Sequence, residues 1–551
     1  MAVLHQDDTA TEAVDSPPRK VRMTSSVYRR VGIASAIMMA SIFLSRVVGL
    51  LREMVIAYTG GVGREVDAYQ VAFVLPEILN HIAASGFLSV TFIPIFADYI
   101  AEGKEEEGWR AFSAILTVFG LLLVVLIAVA EIAAGRMVGW VAPGLGDPAT
   151  VADAVRMTRI ILPAQFFFFS GGLLMAVQFA REKFAVPALA PLLYNGGIIV
   201  GGLLLSGRLG MEGFAWGVLA GAIVGNFFLQ YRGAKGVGLR YRFSLDFRHP
   251  ALRTYIRLTL PLMVGLTMMF STEFFFKFFG SYLPHGGISA LNYGLRVMLA
   301  LVAFFGQAVG VASFPFLARM AAENRIGELS QLLDDTLRYL SLVVPCSVLL
   351  IVLRHEVVSI LFQRGRFDAA AAELTARILP YLLAGAFAFA AQTLVARGYY
   401  AVKDTFFPAL YGTLAVLVSL PAYRVCLRLL GIEGVALAVS LSAALQVVVL
   451  YALWNRRVGN RHAGRVYAAF GRQALLAFPL GGLVYWIKVW LFGSFEPLGL
   501  GGSLLAVFVV STLFCSGIVA IGYRLGLEEV VETVKRVRSR MRRRKSGAGS
   551  G

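Results

Sequence analysis

The amino-acid sequence predicts an all-α polytopic membrane protein with about 14 transmembrane helices. Of its 551 residues, 58% are hydrophobic and only 15% are charged, whereas soluble domains are about 45–50% apolar and about 25% charged. The mean hydropathy is +0.72. The apolar runs are continuous over roughly 20 residues, the length of a bilayer-spanning helix. They do not alternate as the strands of a membrane β-barrel do.

Polar connections separate the apolar runs and define the predicted spans. Most connections are short, so we expect no large domain outside the membrane. In chain order the predicted spans cover 30–58, 66–100, 110–142, 153–179, 186–206, 211–231, 255–283, 288–318, 335–354, 372–400, 405–430, 433–455, 468–492 and 500–524.

Sequence blocks of the first half recur in the second half in the same order. TFIPIFADYIAEG in the first half is similar to SFPFLARMAAEN in the second half. In the same way, RIILP is similar to ARILP, and EGFAWGVLAGA to EGVALAVSLSA. Six spans separate the members of each pair, and because six is even, the two copies have parallel orientation. Two parallel six-helix lobes around a central cavity, plus two C-terminal helices, form a transporter plan.

This plan divides the chain into six parts. They are a polar N-terminal segment, an N-lobe, a basic linker, a C-lobe, two extra helices and a basic tail, at 1–29, 30–231, 232–254, 255–455, 456–526 and 527–551 respectively. Glycine-rich pieces inside the spans, such as NGGIIVGG, indicate close helix packing and not phosphate-binding loops.

Basic residues at the span boundaries predict the orientation. The formal net charge is +18, and arginine and lysine concentrate in the N-terminal segment, the linker, the loop after span 12 and the tail KRVRSRMRRRK. The positive-inside rule places these regions and both termini in the cytoplasm. We expect the tail to contact anionic membrane lipids and not nucleic acid. The basic segment LFQRGRF, 361–367, is an exception to this rule. The number of spans before it places it on the outer side of the membrane, unless it is re-entrant or buried against protein.

Arginines inside the apolar spans predict a polar cavity. Arg46 and Arg52 lie in span 1, about 9 Å apart along the helix axis and about 120° apart around it, and Arg296 lies in span 8. A membrane arginine is tolerated where it faces water or a partner, although Arg52 could also extend to the interface. If the lobes face each other, these guanidinium groups converge, and their planar shape suits phosphate oxygens. We therefore expect an anionic head group, above all a phosphate or pyrophosphate, as ligand.

Other ionisable residues occupy spans 2 and 7. Glu273 and Lys277 are spaced i,i+4, so we predict that they pair with each other, and both are candidates for ion coupling. Asp67, Glu77 and His81 lie in span 2. We find no P-loop, zinc motif or nucleophile elbow, and the three cysteines are scattered. The sequence therefore predicts no enzyme, metal site or cofactor, and it leaves the coupling ion open.

Several motifs resemble the MurJ (MviN-type) family of lipid II flippases, in the multidrug/oligosaccharidyl-lipid/polysaccharide exporter superfamily. These motifs are SRVVGLLRE, VDAYQVAFVLPEIL, LFQRGRFD and ARGYYAVKDTFFPAL, and the similarity extends from about 30 to 526. The resemblance implies alternating access in the bacterial cell (inner) membrane. It implies translocation of lipid II, the undecaprenyl-pyrophosphate-linked peptidoglycan precursor, from the inner to the outer leaflet, with the cell-wall synthesis machinery as a candidate partner.

By motif, the resemblance assigns substrate binding to Arg46, Arg52, Asp67 and Arg296, and Glu53 stands where the family usually has aspartate, as a candidate for coupling. The sequence departs from the family pattern in span 2. Asn80 and His81 replace a basic pair, and Ala84-Ser85-Gly86 replaces a small-acidic-glycine element. We expect Asn80 and His81 to contact the substrate instead. The departures leave two alternatives, a flippase for another polyprenyl-pyrophosphate-linked glycan and a non-transporting scaffold with the same fold.

Overall fold

The computed structural model describes residues 25–81, 87–460, 462–493 and 499–526, and these residues form helices and no strand. The N-terminal segment up to residue 24, the element Ala84-Ser85-Gly86 and the basic tail lie outside the described residues, so their predicted roles stay predictions.

The first half of the described chain forms ten α-helices, which we call the N-lobe. A 3₁₀ turn, Pro143–Leu145, precedes α6, and a π-helical segment, Ala222–Phe228, joins α9 to α10. The helices are α1 (Ser25–Gly60), α2 (Arg64–Ala72), α3 (Val74–Leu79), α4 (Phe87–Ala101), α5 (Glu105–Val141), α6 (Pro148–Ile161), α7 (Ala164–Ala180), α8 (Ala185–Leu209), α9 (Glu212–Gly221) and α10 (Leu229–Lys235).

The second half begins with nine helices, which we call the C-lobe, and ends with α20 and α21. A π-helical segment, Ala303–Gln307, follows α12, and Gly431 at φ 60° breaks α19 into two helices. The helices are α11 (Pro250–Gly280), α12 (Gly287–Val302), α13 (Ala308–Ala322), α14 (Ile326–Leu340), α15 (Val343–Val352), α16 (Arg354–Phe362), α17 (Ala369–Leu383), α18 (Ala386–Ala401), α19 (Phe406–Val458), α20 (Gly464–Phe492) and α21 (Leu500–Arg524).

The predicted all-α membrane fold is confirmed. Within the described ranges, nine helical stretches are long and apolar enough to cross a bilayer, or ten if the bent pair of α17 and α18 is one span. The exact number of fourteen spans and the six boundaries stay predictions.

Glycines bring α8 and α9 into backbone contact. A Cβ atom at Gly197 would lie 2.5 Å from the Cα of Gly221, and one at Gly201 would lie 2.5 Å from the Cα of Gly217. No larger side chain fits at that separation, so these small residues fix how closely the two helices approach. The glycine-rich run NGGIIVGG therefore serves helix packing, as predicted.

Matching ion pairs agree with the predicted repeat. Arg156 Nε lies 2.7 Å from Glu212 Oε1 and links α6 to α9. Arg377 pairs with Glu433 and links α17 to the second part of α19. The two residues are 56 positions apart in both pairs. The same connection between the fourth and sixth spans therefore occurs in each half.

The two C-terminal helices are fastened to the C-lobe. α20 packs on α15 and α21 packs on α16, around a separate apolar core that includes Val352, Val484 and Phe514. Within this contact, Lys488 Nζ lies 2.6 Å from Glu356 Oε1 and donates to the carbonyl oxygen of Val352 at 2.9 Å. A buried ion pair and a shared core thus join α20 and α21 to one lobe.

Candidate functional site

A cavity of about 320 Å³ lies where the two lobes meet. Five charged residues line it, three from the N-lobe and two from the C-lobe: Arg52, Glu53, Glu77, Lys277 and Arg296. The polar lining consists of Tyr69, Gln70, Asn80, Gln165 and Tyr194. The cavity therefore combines apolar walls with convergent polar groups, as ligand sites usually do.

The guanidinium of Arg52 is held by its neighbours. Its Nη2 lies 2.6 Å from Glu53 Oε1, and its Nη1 donates to Asn195 Oδ1 on α8 at 3.0 Å. Asn195 is oriented in turn by its Nδ2, which donates to the carbonyl oxygen of Pro191 at 2.9 Å. These contacts fix the arginine plane at the cavity wall.

Glu53 connects the two lobes. It is 3% exposed, and besides Arg52 it faces two groups of α12. Its Oε1 lies 3.6 Å from Arg296 Nε, and its Oε2 accepts from Asn292 Nδ2 at 3.4 Å. The carboxylate that Arg296 lacks among its sequence neighbours therefore comes from the opposite lobe.

Lys277 also pairs across the lobes. Its Nζ lies 3.0 Å from Glu77 Oε2, which joins α11 to α3. The predicted pair of Glu273 with Lys277 is wrong, because the ammonium is directed to the N-lobe carboxylate. An i,i+4 pair on one helix stabilises by only about 0.2–0.5 kcal/mol, so a buried partner of opposite charge outweighs it. Glu273 is half-buried one turn earlier on α11.

Unused hydrogen-bonding capacity surrounds the cavity. Arg52 Nε and Arg296 Nε are buried N–H donors with no hydrogen-bond partner among the described residues, and the Asn80 Oδ1 and Gln165 Oε1 acceptors are in the same state. Buried polar groups normally have partners. Three cations and two carboxylates line the cavity, so its formal charge is +1. The positive charge and the two free arginine N–H donors suit an anionic, oxygen-rich ligand, and the two amide oxygens can accept from hydroxyl or amide groups of the same ligand.

The structure brings together only some of the predicted site residues. Arg46 is exposed on α1 and lies outside the cavity lining, because it is about 120° around the helix from Arg52. His81 is half-buried next to the cavity, and its Nδ1 donates to the carbonyl oxygen of Glu77 at 2.8 Å. Asn80 lines the cavity.

Asp67 lies at a different contact between the lobes. Its Oδ2 accepts from the Gly286 N–H at 2.6 Å and its Oδ1 accepts from the Ser289 N–H at 2.7 Å. These amides begin α12, where a negative charge is stabilised by the helix dipole. The predicted substrate ligand Asp67 therefore caps a helix of the opposite lobe and does not line the cavity.

The lobes also touch at one end of the bundle, which we call the glycine end because Gly61, Gly286 and Gly365 form it. A Cβ atom at Gly61 would lie 2.4 Å from the carbonyl oxygen of Arg366, and one at Gly365 would lie 2.4 Å from that of Tyr58. All three glycines have positive φ, at 66°, 91° and 61°. Only glycine allows this backbone approach without strain.

Besides the Asp67 contacts with Gly286 and Ser289, two further hydrogen bonds connect the lobes at the glycine end. The Arg366 N–H donates to the carbonyl oxygen of Tyr58 at 2.9 Å, and the Tyr293 hydroxyl donates to that of Gly61 at 3.1 Å. The segment LFQRGRF therefore packs against the end of α1.

Apart from Asn80, sequence reasoning missed the uncharged polar residues of the site. Asn195 and Gln165 are amide side chains within largely apolar helices, and Tyr69 and Tyr194 carry no charge that would mark them in the sequence. An isolated amide within a span was the available signal, because such a group needs a partner at that depth. It does not reveal which helix supplies that partner.

Comparisons with known proteins agree with one another. The family described as "Lipid II flippase MurJ" matches residues 56–507. The chain is 29% identical to a lipid II flippase MurJ of Burkholderia cenocepacia over 459 residues, which cover 81% of this chain and 88% of the relative. It is 26% identical to a probable lipid II flippase MurJ of Vibrio cholerae over 437 residues, which cover 77% and 83% of the two chains.

Two solved structures show the same fold. A lipid II flippase MurJ in an inward closed conformation aligns with a TM-score of 0.71 at 22% identity, covering 89% of this chain and 99% of that one. An inward-facing multidrug resistance transporter of the MATE family, in the MOP superfamily, aligns with a TM-score of 0.62 at 15% identity, covering 75% and 94%.

Proposed function

The chain belongs to the lipid II flippase MurJ family, whose model matches residues 56–507, and from this premise we propose how it moves lipid II across the membrane. It is a multi-pass membrane transporter, as the relatives and the fold neighbours are, and it is not an enzyme. Its function is that of a lipid II flippase. The pyrophosphate of lipid II binds in the cavity between the lobes, and the lobes then change which side of the membrane the cavity faces.

One observation supports this site above the others: arginines from both lobes line one cavity, each with a buried Nε that lacks a hydrogen-bond partner among the described residues. A pyrophosphate diester carries two negative charges and several acceptor oxygens. The guanidinium forks of Arg52 and Arg296 match those oxygens. Asn80, directly after α3, completes the polar contacts.

The glycine end acts as the outer gate in this proposal. The closed gate is held by backbone contacts between the lobes. It is also held by Asp67, which accepts hydrogen bonds from the first amides of α12. These contacts separate when the cavity opens to the outside. The termini and the basic tail then lie in the cytoplasm, with the tail on anionic lipids.

Arg46 and His81 keep a role in the proposal as contacts on the cytoplasmic approach to the cavity. Arg46 precedes Arg52 by six residues on α1, so a head group that moves along this helix meets the exposed arginine first. Glu53, Glu273 and Lys277 are proposed to couple transport to an ion or to the substrate charge. The cell-wall synthesis machinery is the proposed partner, because it supplies and consumes lipid II.

A depletion-and-rescue experiment tests the proposed function. The chain is expressed in bacteria from which the resident lipid II flippase is removed, and growth and outer-leaflet lipid II are measured. We expect rescue by the natural sequence and failure of Arg296→Ala. The matched control is Arg377→Ala, which removes an exposed arginine from an ion pair with Glu433 outside the cavity lining and should rescue.

Absence of rescue by correctly inserted natural protein would contradict lipid II as substrate. That result would favour a flippase for another polyprenyl-pyrophosphate-linked glycan or a scaffold. Rescue by Arg296→Ala at normal rate would contradict the proposed site while leaving the substrate unchanged.

A further inference from the structure

We infer that Lys277 is a third pyrophosphate-binding cation of the cavity and that Glu77 is its internal counterion when the cavity is empty. The inference rests on the proposed function, and it adds a specific exchange of partners to it. When the substrate pyrophosphate enters, it replaces Glu77 on the Lys277 ammonium.

The position of the pair supports this role. Lys277 and Glu77 line the same cavity as Arg52 and Arg296, and Lys277 Nζ lies 3.0 Å from Glu77 Oε2. The ammonium therefore already holds a carboxylate oxygen at the cavity wall. A phosphate oxygen at that point would offer it an equivalent acceptor.

The two partners differ in exposure. The Lys277 side chain is 6% exposed, whereas that of Glu77 is 31% exposed. A buried ammonium without a counterion is strongly unfavourable, so Lys277 requires an anion at every stage. Glu77, in contrast, can be hydrated once it is displaced. The arrangement therefore permits one anion to replace another without leaving the buried cation uncompensated.

The exchange has a mechanical result. Glu77 belongs to α3 of the N-lobe and Lys277 to α11 of the C-lobe, so their ion pair joins the lobes. Displacement of Glu77 by substrate breaks this ion pair between the lobes. Occupancy of the cavity and separation of the lobes are thus coupled through one ammonium group.

A second buried lysine–glutamate pair offers a matched control. Lys488 Nζ lies 2.6 Å from Glu356 Oε1 and 2.7 Å from Glu356 Oε2, and it also donates to the carbonyl oxygen of Val352 at 2.9 Å. Both residues of this pair belong to the contact of α20 with the C-lobe and lie outside the cavity lining. Its chemistry is the same, but it does not line the proposed substrate site.

The test measures binding of undecaprenyl pyrophosphate to the full-length protein in lipid nanodiscs. We expect Lys277→Gln to weaken binding by about tenfold or more, because a charged partner is lost. We expect Glu77→Gln to strengthen binding by about threefold or more, because substrate no longer competes with a carboxylate. Lys488→Gln should leave the affinity unchanged, although it lowers the thermal unfolding temperature.

If the Lys277–Glu77 ion pair only holds the lobes together and does not bind substrate, a different pattern is expected. If Glu77→Gln and Lys277→Gln both leave the affinity unchanged, or weaken it equally, the inference is overturned. Lys277→Arg keeps a cation in place. It is therefore a control for the possibility that Lys277→Gln loses binding only because it folds poorly. It should bind within about threefold of the natural protein, and loss of binding in this folded variant would also count against the inference.

Failure of the inference is distinguishable from failure of the proposed site. If Arg52→Ala weakens binding and Lys277→Gln does not, the cavity binds pyrophosphate without Lys277. If neither variant changes the affinity, the cavity is not the pyrophosphate site.

Discussion

At the scale of single residues, the site depends on two neighbours in the chain with opposite charge. Arg52 and Glu53 are consecutive on α1, and the carboxylate serves Arg52 and Arg296 together. Because Glu53 is buried between two arginines, it keeps them close in spite of their mutual repulsion.

The variant Arg52→Lys tests whether geometry or charge matters at this position. A lysine retains the charge but lacks the planar fork that contacts Glu53 and Asn195 at once. We expect transport to fall about tenfold or more, equivalent to about 1.4 kcal/mol, with normal membrane insertion. Transport is measured as outer-leaflet lipid II in the depleted strain. Normal transport would show that charge alone is sufficient.

The variant Glu53→Gln tests the bridge between the lobes. It leaves two cavity arginines without their shared carboxylate, and removal of one partner from a buried ion pair costs about 3 kcal/mol or more. We expect a lower thermal unfolding temperature in detergent and reduced transport. Glu433→Gln, which removes the carboxylate from a pair whose arginine is exposed, is the control and should change the unfolding temperature less. Equal effects of the two variants would argue against a bridging role for Glu53.

At the scale of helices and loops, backbone geometry decides the contact at the glycine end. The variant Gly365→Ala adds a Cβ atom that would lie 2.4 Å from the carbonyl oxygen of Tyr58, at φ 61°. The control is Gly431→Ala, which has φ 60° and no atom within 4 Å of the added Cβ. Both variants place a Cβ atom on a residue with positive φ, a conformation that glycine adopts without strain and other residues do not. Only Gly365→Ala also separates the lobes.

We therefore expect Gly431→Ala to be transport-competent and Gly365→Ala to lose the closed outer gate. Transport in the depleted strain and thermal unfolding in detergent measure the two effects. If the variants behave alike, the contact between Gly365 and Tyr58 has no role in closure.

The helices were predictable from sequence because hydropathy acts locally. Each long apolar run has to satisfy its backbone internally in a bilayer, and a helix is the simplest way to do so. The partners of the charged groups were not predictable in the same way. Lys277 illustrates the difference, since local spacing favoured Glu273 and the folded chain gives it Glu77, 200 positions away.

Asp67 shows a second limit of sequence reasoning. A carboxylate in a membrane helix indicates a functional group or a buried partner, and only the fold shows that its partner is the start of α12. The convergence of Arg52 and Arg296 was predictable because it follows from two lobes that face each other. The exclusion of Arg46 follows from its angle around α1.

At the scale of the whole molecule, alternating access requires the contacts at the glycine end to open during each cycle. Ser289 is fully buried there beside Asp67. In a variant with the three natural cysteines replaced, we expect Ser289→Cys to react slowly with a membrane-impermeant thiol reagent added outside. Adding Asp67→Asn, which removes a charge worth about 0.3–1 kcal/mol at the α12 start, should raise the rate about twofold or more.

The rate of reaction with Ser289→Cys should also rise when substrate is present and transport proceeds. A cysteine introduced at a position of similar burial within the α8–α9 contact of the N-lobe is the control. It should stay unreactive under the same conditions. A Ser289→Cys rate that is insensitive both to Asp67→Asn and to substrate would contradict the placement of the outer gate.

The glycine end also has a consequence for genetic studies of this transporter. Where the segment LFQRGRF meets the end of α1, its contacts use main-chain carbonyl and amide groups, which every amino acid possesses. Alanine scanning of Tyr58 or Arg366 removes side chains and leaves those groups in place. These two replacements would therefore pass over this part of the proposed gate almost silently, whereas replacement of Gly61, Gly286 or Gly365 would reveal it at once.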